Sequence, residues 1–227
     1  MSAVAATPSA TPADALPFSR KTVAELLDEL GGIPAHRVRV YPPPGTATEA
    51  DVIRLGPVAR FCELVDGTLV ERPVGRPEGI LAAYLATLLN NFVLPRGLGT
   101  VAVPDAIYRM RQGNLREPDV SFTSQDREVY PLAQVSGVCP DLCVEVLSPD
   151  NTRAEMARKR VEYFATGCRL VWEIDPRRRT ASVYTDPDAA TRLGPDGFLD
   201  GGAVLPGFAL PLADLFARLD PPTTPTA

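Results

Sequence analysis

The stretch Pro140-Asp-Leu-Cys-Val-Glu-Val-Leu-Ser-Pro149 carries Glu145 in the middle of an apolar run. Within Leu142-Cys-Val-Glu-Val-Leu147, every neighbour of this glutamate is apolar or cysteine, which is typical of a buried strand. An ionised carboxylate in such a strand is costly unless it is paired with a cation or binds a metal. Pro118-Asp119, upstream, opens a second short apolar run. Two carboxylates brought together from two strands predict a site for a divalent metal ion and an activated water.

Asp141 competes with Asp119 as the partner of Glu145. Asp141 and Glu145 share a strand and face the same side, but they are four residues apart, or roughly 13 Å at the rise of a strand. A single ion held about 2 Å from each ligand oxygen cannot bridge that distance. Glu117 also has the required parity, but it lies before Pro118 at the strand edge. Asp119 is therefore the preferred partner.

The composition limits the classes of function that this chain can have. Its 227 residues suffice for one sizeable core, and its net charge of −5 argues mildly against indiscriminate nucleic-acid binding. A histidine-based catalytic triad is excluded in practice, because His36 is the sole histidine and lies in a segment rich in proline and arginine.

Cysteine usage and hydropathy predict a compartment. The four cysteines match no common zinc spacing, so buried free thiols in a reducing environment are expected. No apolar stretch approaches the roughly 18 residues of a membrane span, and no signal-peptide pattern is present. A cytoplasmic protein with no membrane partner is the resulting expectation.

Changes in composition along the chain predict four segments. Residues 1–17 and 220–227 are rich in Ala, Thr and Pro and are expected to be disordered. Residues 18–60 form an N-terminal extension with one short helix between Ser19 and about Leu30, where Gly31-Gly32 ends the helical pattern. Residues 61–219 form the main domain.

Strands and helices mix within the main domain. Phe61 to Glu71 has the pattern of a hairpin around Asp66-Gly67, and helices are predicted from Glu78 to Leu94 and from Thr152 to Thr166. Further strands are predicted at Thr100–Val103, Ala106–Met110, Asp119–Phe122, Leu142–Leu147, Leu170–Ile174 and Ala181–Tyr184. The pattern indicates an α/β or α+β domain in which helices flank a mixed sheet.

Several short motifs of the chain are together similar to those of a known protein family. The chain resembles the Uma-two family of proposed restriction endonucleases, a branch of the PD-(D/E)XK nuclease superfamily with a restriction-endonuclease-like fold. The resemblance runs from about Phe61 to Phe216 and rests on the order and spacing of several short motifs. These are Phe61-Cys-Glu-Leu-Val-Asp-Gly-Thr-Leu-Val70, Pro118-Asp-Val120, the 140–149 stretch, Lys159 with Tyr163 and Gly167, Val171-Trp-Glu-Ile-Asp-Pro176 and Leu205-Pro-Gly-Phe208.

The resemblance implies roles for four residues. Asp119 and Glu145 would hold Mg²⁺, with Mn²⁺ as an alternative ion. The superfamily pattern expects a lysine two residues after the glutamate, where this chain has Leu147. Lys159, in the helix that follows the strand, would supply that cation instead. Glu78, near the start of the first long helix, matches a further acidic position of the superfamily.

Each of these residues also has a purely structural interpretation. Asp119 after a proline is typical of a strand start or turn. Glu145 could form a structural ion pair with a basic residue such as Lys159. Lys159 follows Glu155 by four residues, which is the spacing of an exposed helical ion pair. Glu78 lies near a helix N-terminus, where the helix dipole favours acidic residues.

Three functional hypotheses follow. The first is a metal-dependent endonuclease that hydrolyses DNA phosphodiester bonds, supported further by arginines at 153, 158, 160, 169 and 177–179. The second is a catalytically weak or inactive nucleic-acid-binding or regulatory module on the same fold, and the third is a protein-interaction scaffold. DNA is the expected partner, and a homodimer is a further expectation because cutting both strands of a duplex needs two sites.

Overall fold

The computed structural model of the chain describes residues 21–56, 61–73, 75–110 and 113–221. The disorder predicted for residues 1–17, and for all but the start of 220–227, falls outside the described residues. Within the described ranges, no helix combines the length and the apolar character needed to cross a membrane.

Five α-helices occur in the described part of the chain: α1 (Val23–Glu29), α2 (Glu49–Leu55), α3 (Arg76–Val93), α4 (Arg153–Thr166) and α5 (Leu212–Phe216). Three of them, α1, α2 and α4, begin with a capping box, in which a threonine and the acidic residue three positions later satisfy each other's backbone N–H groups. The helices predicted between Ser19 and Leu30, from Glu78 and from Thr152 are confirmed, whereas α2 was not predicted.

Thirteen short strands lie in the same ranges. They are β1 (Cys62–Val65), β2 (Thr68–Glu71), β3 (Gly99–Ala102), β4 (Ile107–Arg109), β5 (Leu115–Arg116), β6 (Val120–Ser124), β7 (Val135–Ser136), β8 (Leu142–Val146), β9 (Leu170–Asp175), β10 (Thr180–Tyr184), β11 (Ala190–Leu193), β12 (Phe198–Asp200) and β13 (Ala209–Pro211). The predicted hairpin is β1–β2, paired from Cys62↔Glu71 to Val65↔Thr68.

The strands form two mixed sheets and a small hairpin rather than one mixed sheet. The larger sheet has the order β11-β10-β9-β8-β6-β3 and the smaller has the order β2-β1-β5-β4-β7, while β12 pairs with β13. In the larger sheet β8 and β9 run parallel, so the chain must cross over between them, and α4 lies in that crossover. The expected mixed α+β fold with flanking helices is confirmed.

The alternation of side chains in β8 determines which residues meet α4. Val144 and Trp172 belong to the main apolar core, which also contains Leu85 of α3. Cys143 instead packs with Tyr163 of α4 on the opposite face. Because successive strand residues point to opposite faces, Glu145 lies on the same side as Cys143 and faces α4.

The N-terminal extension packs against the start of α4. The Thr152 hydroxyl donates a 2.5 Å hydrogen bond to the carbonyl of Gly31. Gly31 has a φ of +91°, and a β-carbon there would lie 2.6 Å from the backbone nitrogen of Glu155. Arg37 is buried and binds the Glu155 carboxylate at 2.6 and 3.0 Å. The extension is therefore joined to the helix that carries Lys159.

Candidate active site

Asp119 and Glu145 lie side by side at one edge of the larger sheet. Asp119 immediately precedes β6, which pairs with β8 through Val120↔Val144. Asp119 Oδ2 accepts a 2.7 Å hydrogen bond from the backbone N–H of Val146, the residue after Glu145. The Asp119 side chain is 24% exposed, whereas that of Glu145 is 8% exposed. The Asp119 carboxylate is thus partly exposed, whereas that of Glu145 is buried.

Lys159 projects from α4 into the protein and binds two carboxylates. Its Nζ lies 3.1 and 3.2 Å from the two carboxylate oxygens of Glu145, and 2.9 Å from Glu63 Oε1. The side chain is 3% exposed, so it is not part of an exposed helical pair. Glu155, the partner expected from spacing, is bound by Arg37 instead. Lys159 therefore brings a cation to Glu145, although the residue two positions after this glutamate is Leu147.

Glu63 is a site residue that the sequence analysis did not identify. It lies in β1 of the smaller sheet, is 1% exposed, and binds Lys159 and, at 2.7 Å, Arg116 of β5. Its Oε1 also accepts a hydrogen bond from the backbone N–H of Glu117 at 3.3 Å. The signal that could have identified it is the one that identified Glu145, a carboxylate flanked by apolar residues in a strand.

Burial and neighbouring charges shift the protonation of these groups in different directions. Burial, with the negative charges of Asp119 and Glu63, raises the pKa of Glu145 to about 7, and Lys159 opposes this shift. Burial would also raise the pKa of Glu63, but Lys159 and Arg116 outweigh it and lower the pKa to about 2. Burial would lower the pKa of Lys159, but Glu145 and Glu63 hold it above its ordinary value. At neutral pH, Lys159 and Glu63 are therefore charged, and Glu145 is poised to exchange a proton.

Tyr163 completes the environment of Glu145. It lies one helical turn after Lys159 in α4, and its hydroxyl donates a 2.5 Å hydrogen bond to Glu145 Oε1. Burial and the Glu145 charge raise the pKa of Tyr163 well above its ordinary value, so the phenol keeps its proton. Tyr163 and Lys159 together fix the orientation of the Glu145 carboxylate.

Arg72 lies between Glu117 and the exposed carboxylate of Asp119. Its Nε is 3.1 Å from Glu117 Oε2, in an ion pair that lacks hydrogen-bond alignment, and its Nη1 is 3.6 Å from Asp119 Oδ1. Burial raises the pKa of Glu117 to about 8 despite this arginine, and burial also raises the pKa of Asp119. The raised pKa values indicate that the cations of the site do not fully compensate the burial and mutual repulsion of its carboxylates.

Two other carboxylates considered from the sequence have different contacts. Glu78 is in the first turn of α3, and its carboxylate folds back over Gly75. In the described residues, no hydrogen bond or ion pair joins Glu78 to Asp119, Glu145 or Lys159. Asp141 is fully buried and is neutralised by Arg127 at 2.6 Å and Arg169 at 2.8 Å, which is a structural arrangement.

The donor chemistry of the site fits a hard divalent cation. Over the described ranges, no three His, Cys, Asp or Glu side chains are clustered so as to hold a metal ion. Mg²⁺ does not need such a cluster, because it commonly binds to one or two carboxylates and keeps several waters or phosphate oxygens. Asp119 and Glu145 could provide such a pair, and a cation between them would relieve the repulsion that helps raise the pKa of Glu145.

Comparisons with known proteins place the chain in a family. The crystal structure of a putative nuclease belonging to DUF820, from Anabaena variabilis, is similar with a TM-score of 0.68 and 20% sequence identity, over 76% of this chain and 98% of that one. At that identity the similarity shows the shared fold. No curated protein matches the chain. The model of the Uma2 family, described as "Putative restriction endonuclease", matches residues 58–213, which is more than half of the chain. The chain belongs to the Uma2 family.

Proposed function

We propose that this protein is a metal-dependent endonuclease that hydrolyses DNA phosphodiester bonds. The observation that carries the proposal is the buried ammonium of Lys159, which is shared by Glu63 and Glu145 beside the partly exposed carboxylate of Asp119. A structural ion pair needs one carboxylate for one lysine, whereas two carboxylates share this ammonium and the partly exposed Asp119 lies beside them. Membership of the Uma2 family supports a nuclease activity.

Asp119 and Glu145 are the residues that would hold Mg²⁺, with Mn²⁺ as the alternative ion. When bound, such an ion lowers the pKa of a coordinated water and stabilises the charge that develops on a phosphate under attack. Glu145 must lose its proton to serve as a ligand, and its pKa of about 7 allows this at neutral pH. Asp119 is the ligand closer to an incoming substrate, because its side chain is the more exposed of the two.

Lys159 acts in this proposal as a fixed cation rather than as a base. Its raised pKa keeps the ammonium protonated, so its fixed positive charge beside Glu145 can offset negative charge that develops in the site. Glu63 is a positioning residue, since it binds the ammonium together with Glu145, and Arg116 in turn fixes the Glu63 carboxylate. The site would then combine the three elements of metal-assisted hydrolysis, namely ligands, an activated water and a supporting positive charge.

The proposal includes a cellular location and an oligomeric state. The four cysteines are free and buried, which supports a reducing, cytoplasmic location where DNA is accessible. Two copies of the chain would be needed to cut both strands of a duplex at one place, so we extend the proposal to a homodimer.

The test is a nicking assay on supercoiled plasmid with Mg²⁺, with Mn²⁺ and with EDTA. We expect metal-dependent nicking by the wild type and a loss of about 100-fold in Glu145→Gln and Asp119→Asn, since replacing even the outer-shell partners of metal ligands costs about 10- to 100-fold. Glu49→Gln is the control, because Glu49 pairs with the exposed Arg109 of β4 outside the site. Nicking by Glu145→Gln at the wild-type rate, with melting temperatures unchanged, would refute the assignment.

A further inference from the structure

A cavity of about 610 Å³ opens beside the candidate active site. Leu147 and Ser148, which follow β8, form part of its wall, and the first half of α4 and strands β9 to β11 form the rest. We call it the arginine cavity, because five arginines line it: Arg153, Arg160, Arg177, Arg178 and Arg192. None of these arginines contacts the carboxylates described above, so the cavity is a separate feature.

The arginine cavity carries a net positive charge. Arg160 pairs with Glu173 at 2.5 Å, and Arg178 pairs with Asp175 at 2.8 Å. The other three arginines, at 153, 177 and 192, are exposed and have no carboxylate partner in the described part of the chain. Five arginines against two carboxylates leave a charge of +3 in a chain whose net charge is −5. A local excess of this kind in an acidic protein points to an anionic ligand.

Ser148 supplies an independent observation at the same place. Its side chain is 5% exposed, and its Oγ is buried without a hydrogen-bond partner among the described residues. A buried hydroxyl left unpaired is costly, and an anionic oxygen in the cavity would satisfy it. Ser148 is three residues after Glu145, or about 10 Å along an extended chain. The unpaired hydroxyl in the cavity wall therefore lies within about 10 Å of Glu145 along the chain.

We infer that the arginine cavity binds a backbone phosphate of the DNA strand, on one side of the bond that is cut. This inference rests on the proposed function. Arg153, Arg177 and Arg192 neutralise the phosphate charge, since the guanidinium fork matches phosphate oxygens, and the Ser148 hydroxyl donates a hydrogen bond. At a rise of about 3.4 Å per nucleotide, the distance from Glu145 to Ser148 corresponds to at most about three nucleotides. The site would thus fix the register of the strand in the active site.

The experiment measures binding separately from cleavage. Anisotropy of a fluorescein-labelled 20-base-pair DNA duplex is recorded in EDTA, which prevents metal-dependent cutting, over a series of KCl concentrations. The test variant is Arg153→Gln/Arg177→Gln/Arg192→Gln. The matched control is Arg54→Gln/Arg96→Gln/Arg218→Gln, which removes the same charge from arginines outside the cavity. We expect the slope of log K against log salt to shrink by about 0.9 in the test variant, the value for one lost phosphate contact, and to change little in the control.

Ser148→Ala gives a second measurement that leaves charge unaltered. We expect it to weaken duplex binding about 5- to 10-fold at fixed salt without lowering the melting temperature, since the hydroxyl has no protein partner. Equal salt slopes for the cavity and control variants would overturn the inference, even if the wild type nicks plasmid. A reduced slope in the cavity variant, with a wild type that does not nick, would support the phosphate site while overturning the nuclease.

Discussion

Replacing Lys159 by methionine removes the buried ammonium and keeps a side chain of similar length. In the wild type, this Nζ lies 2.9 Å from Glu63 Oε1 and 3.1 Å from Glu145 Oε2. Glu63 retains Arg116 in the variant, and Glu145 retains the Tyr163 hydroxyl. Glu145 would therefore be a buried carboxylate without a cationic partner in the part of the chain that the structure describes.

The expected loss of stability is large and depends on pH. Breaking a buried ion pair by removing one partner costs about 3–5 kcal/mol. In a domain of this size each kcal/mol lowers the melting temperature by about 2–4 °C, so the variant should melt roughly 6–20 °C lower at pH 8. The pKa of Glu145 is already about 7 and rises further without Lys159. At pH 5.5 Glu145 therefore binds a proton, and the loss should be much smaller.

The measurement is a set of thermal and urea unfolding curves at pH 5.5 and pH 8. Wild type, Lys159→Met, Glu145→Gln and the double variant form a double-mutant cycle, which isolates the coupling between the two side chains. The double variant should recover most of the stability lost at pH 8, because it contains no unpaired carboxylate at position 145. Equal melting temperatures of wild type and Lys159→Met at pH 8 would refute the buried-pair reasoning.

Three further predictions concern the protons and the packing around the site. Because Glu145 is protonated below its pKa of about 7, the Mg²⁺ affinity measured by calorimetry should fall about tenfold per pH unit from pH 7 to pH 5. An affinity that does not change over this pH range would contradict the role of Glu145 as a ligand. The raised pKa of Glu117, about 8, means that the wild type loses stability as pH rises from 4.5 towards 9. The Glu117→Gln variant lacks this carboxyl group, so its free energy of unfolding in urea should rise by a few kcal/mol relative to the wild type over the same interval. Gly31→Ala should destabilise the protein by about 1–3 kcal/mol and expose the N-terminal extension to protease. Gly32→Ala should cost less, because a β-carbon at Gly32 meets open space. Equal effects of the two substitutions would argue against the close contact between Gly31 and α4.

Local sequence patterns were sufficient for most of the elements. The 3.6-residue period of α3, the capping box of α4 and the Asp66-Gly67 turn are properties of neighbouring residues, so each could be predicted without knowledge of the rest of the chain. The α2 helix was not predicted, although Thr48 and Asp51 form a capping box that could have marked its start.

The sequence was also sufficient to identify Glu145 and Asp119 as the carboxylates of the candidate site. Glu145 is conspicuous because an ionised group in an apolar strand must find a partner, and strand rise excluded Asp141 as a second ligand of the same ion. The same reasoning could have identified Glu63, whose strand was used to predict a hairpin. Its partners could not have been predicted in this way, because Lys159 lies 96 residues further along the chain.

The tertiary structure alone decided how distant charges are combined. Lys159 could have been an exposed helical residue, but Arg37 of the extension binds Glu155, and the crossover of α4 turns Lys159 towards both sheets. Arg192 of the cavity likewise lies opposite the uncharged Ser182 because of the register of β10 and β11. The physical reason is that sequence periodicity reports the burial of each residue, whereas the pairing of charges depends on strand register and helix placement, which long-range packing fixes.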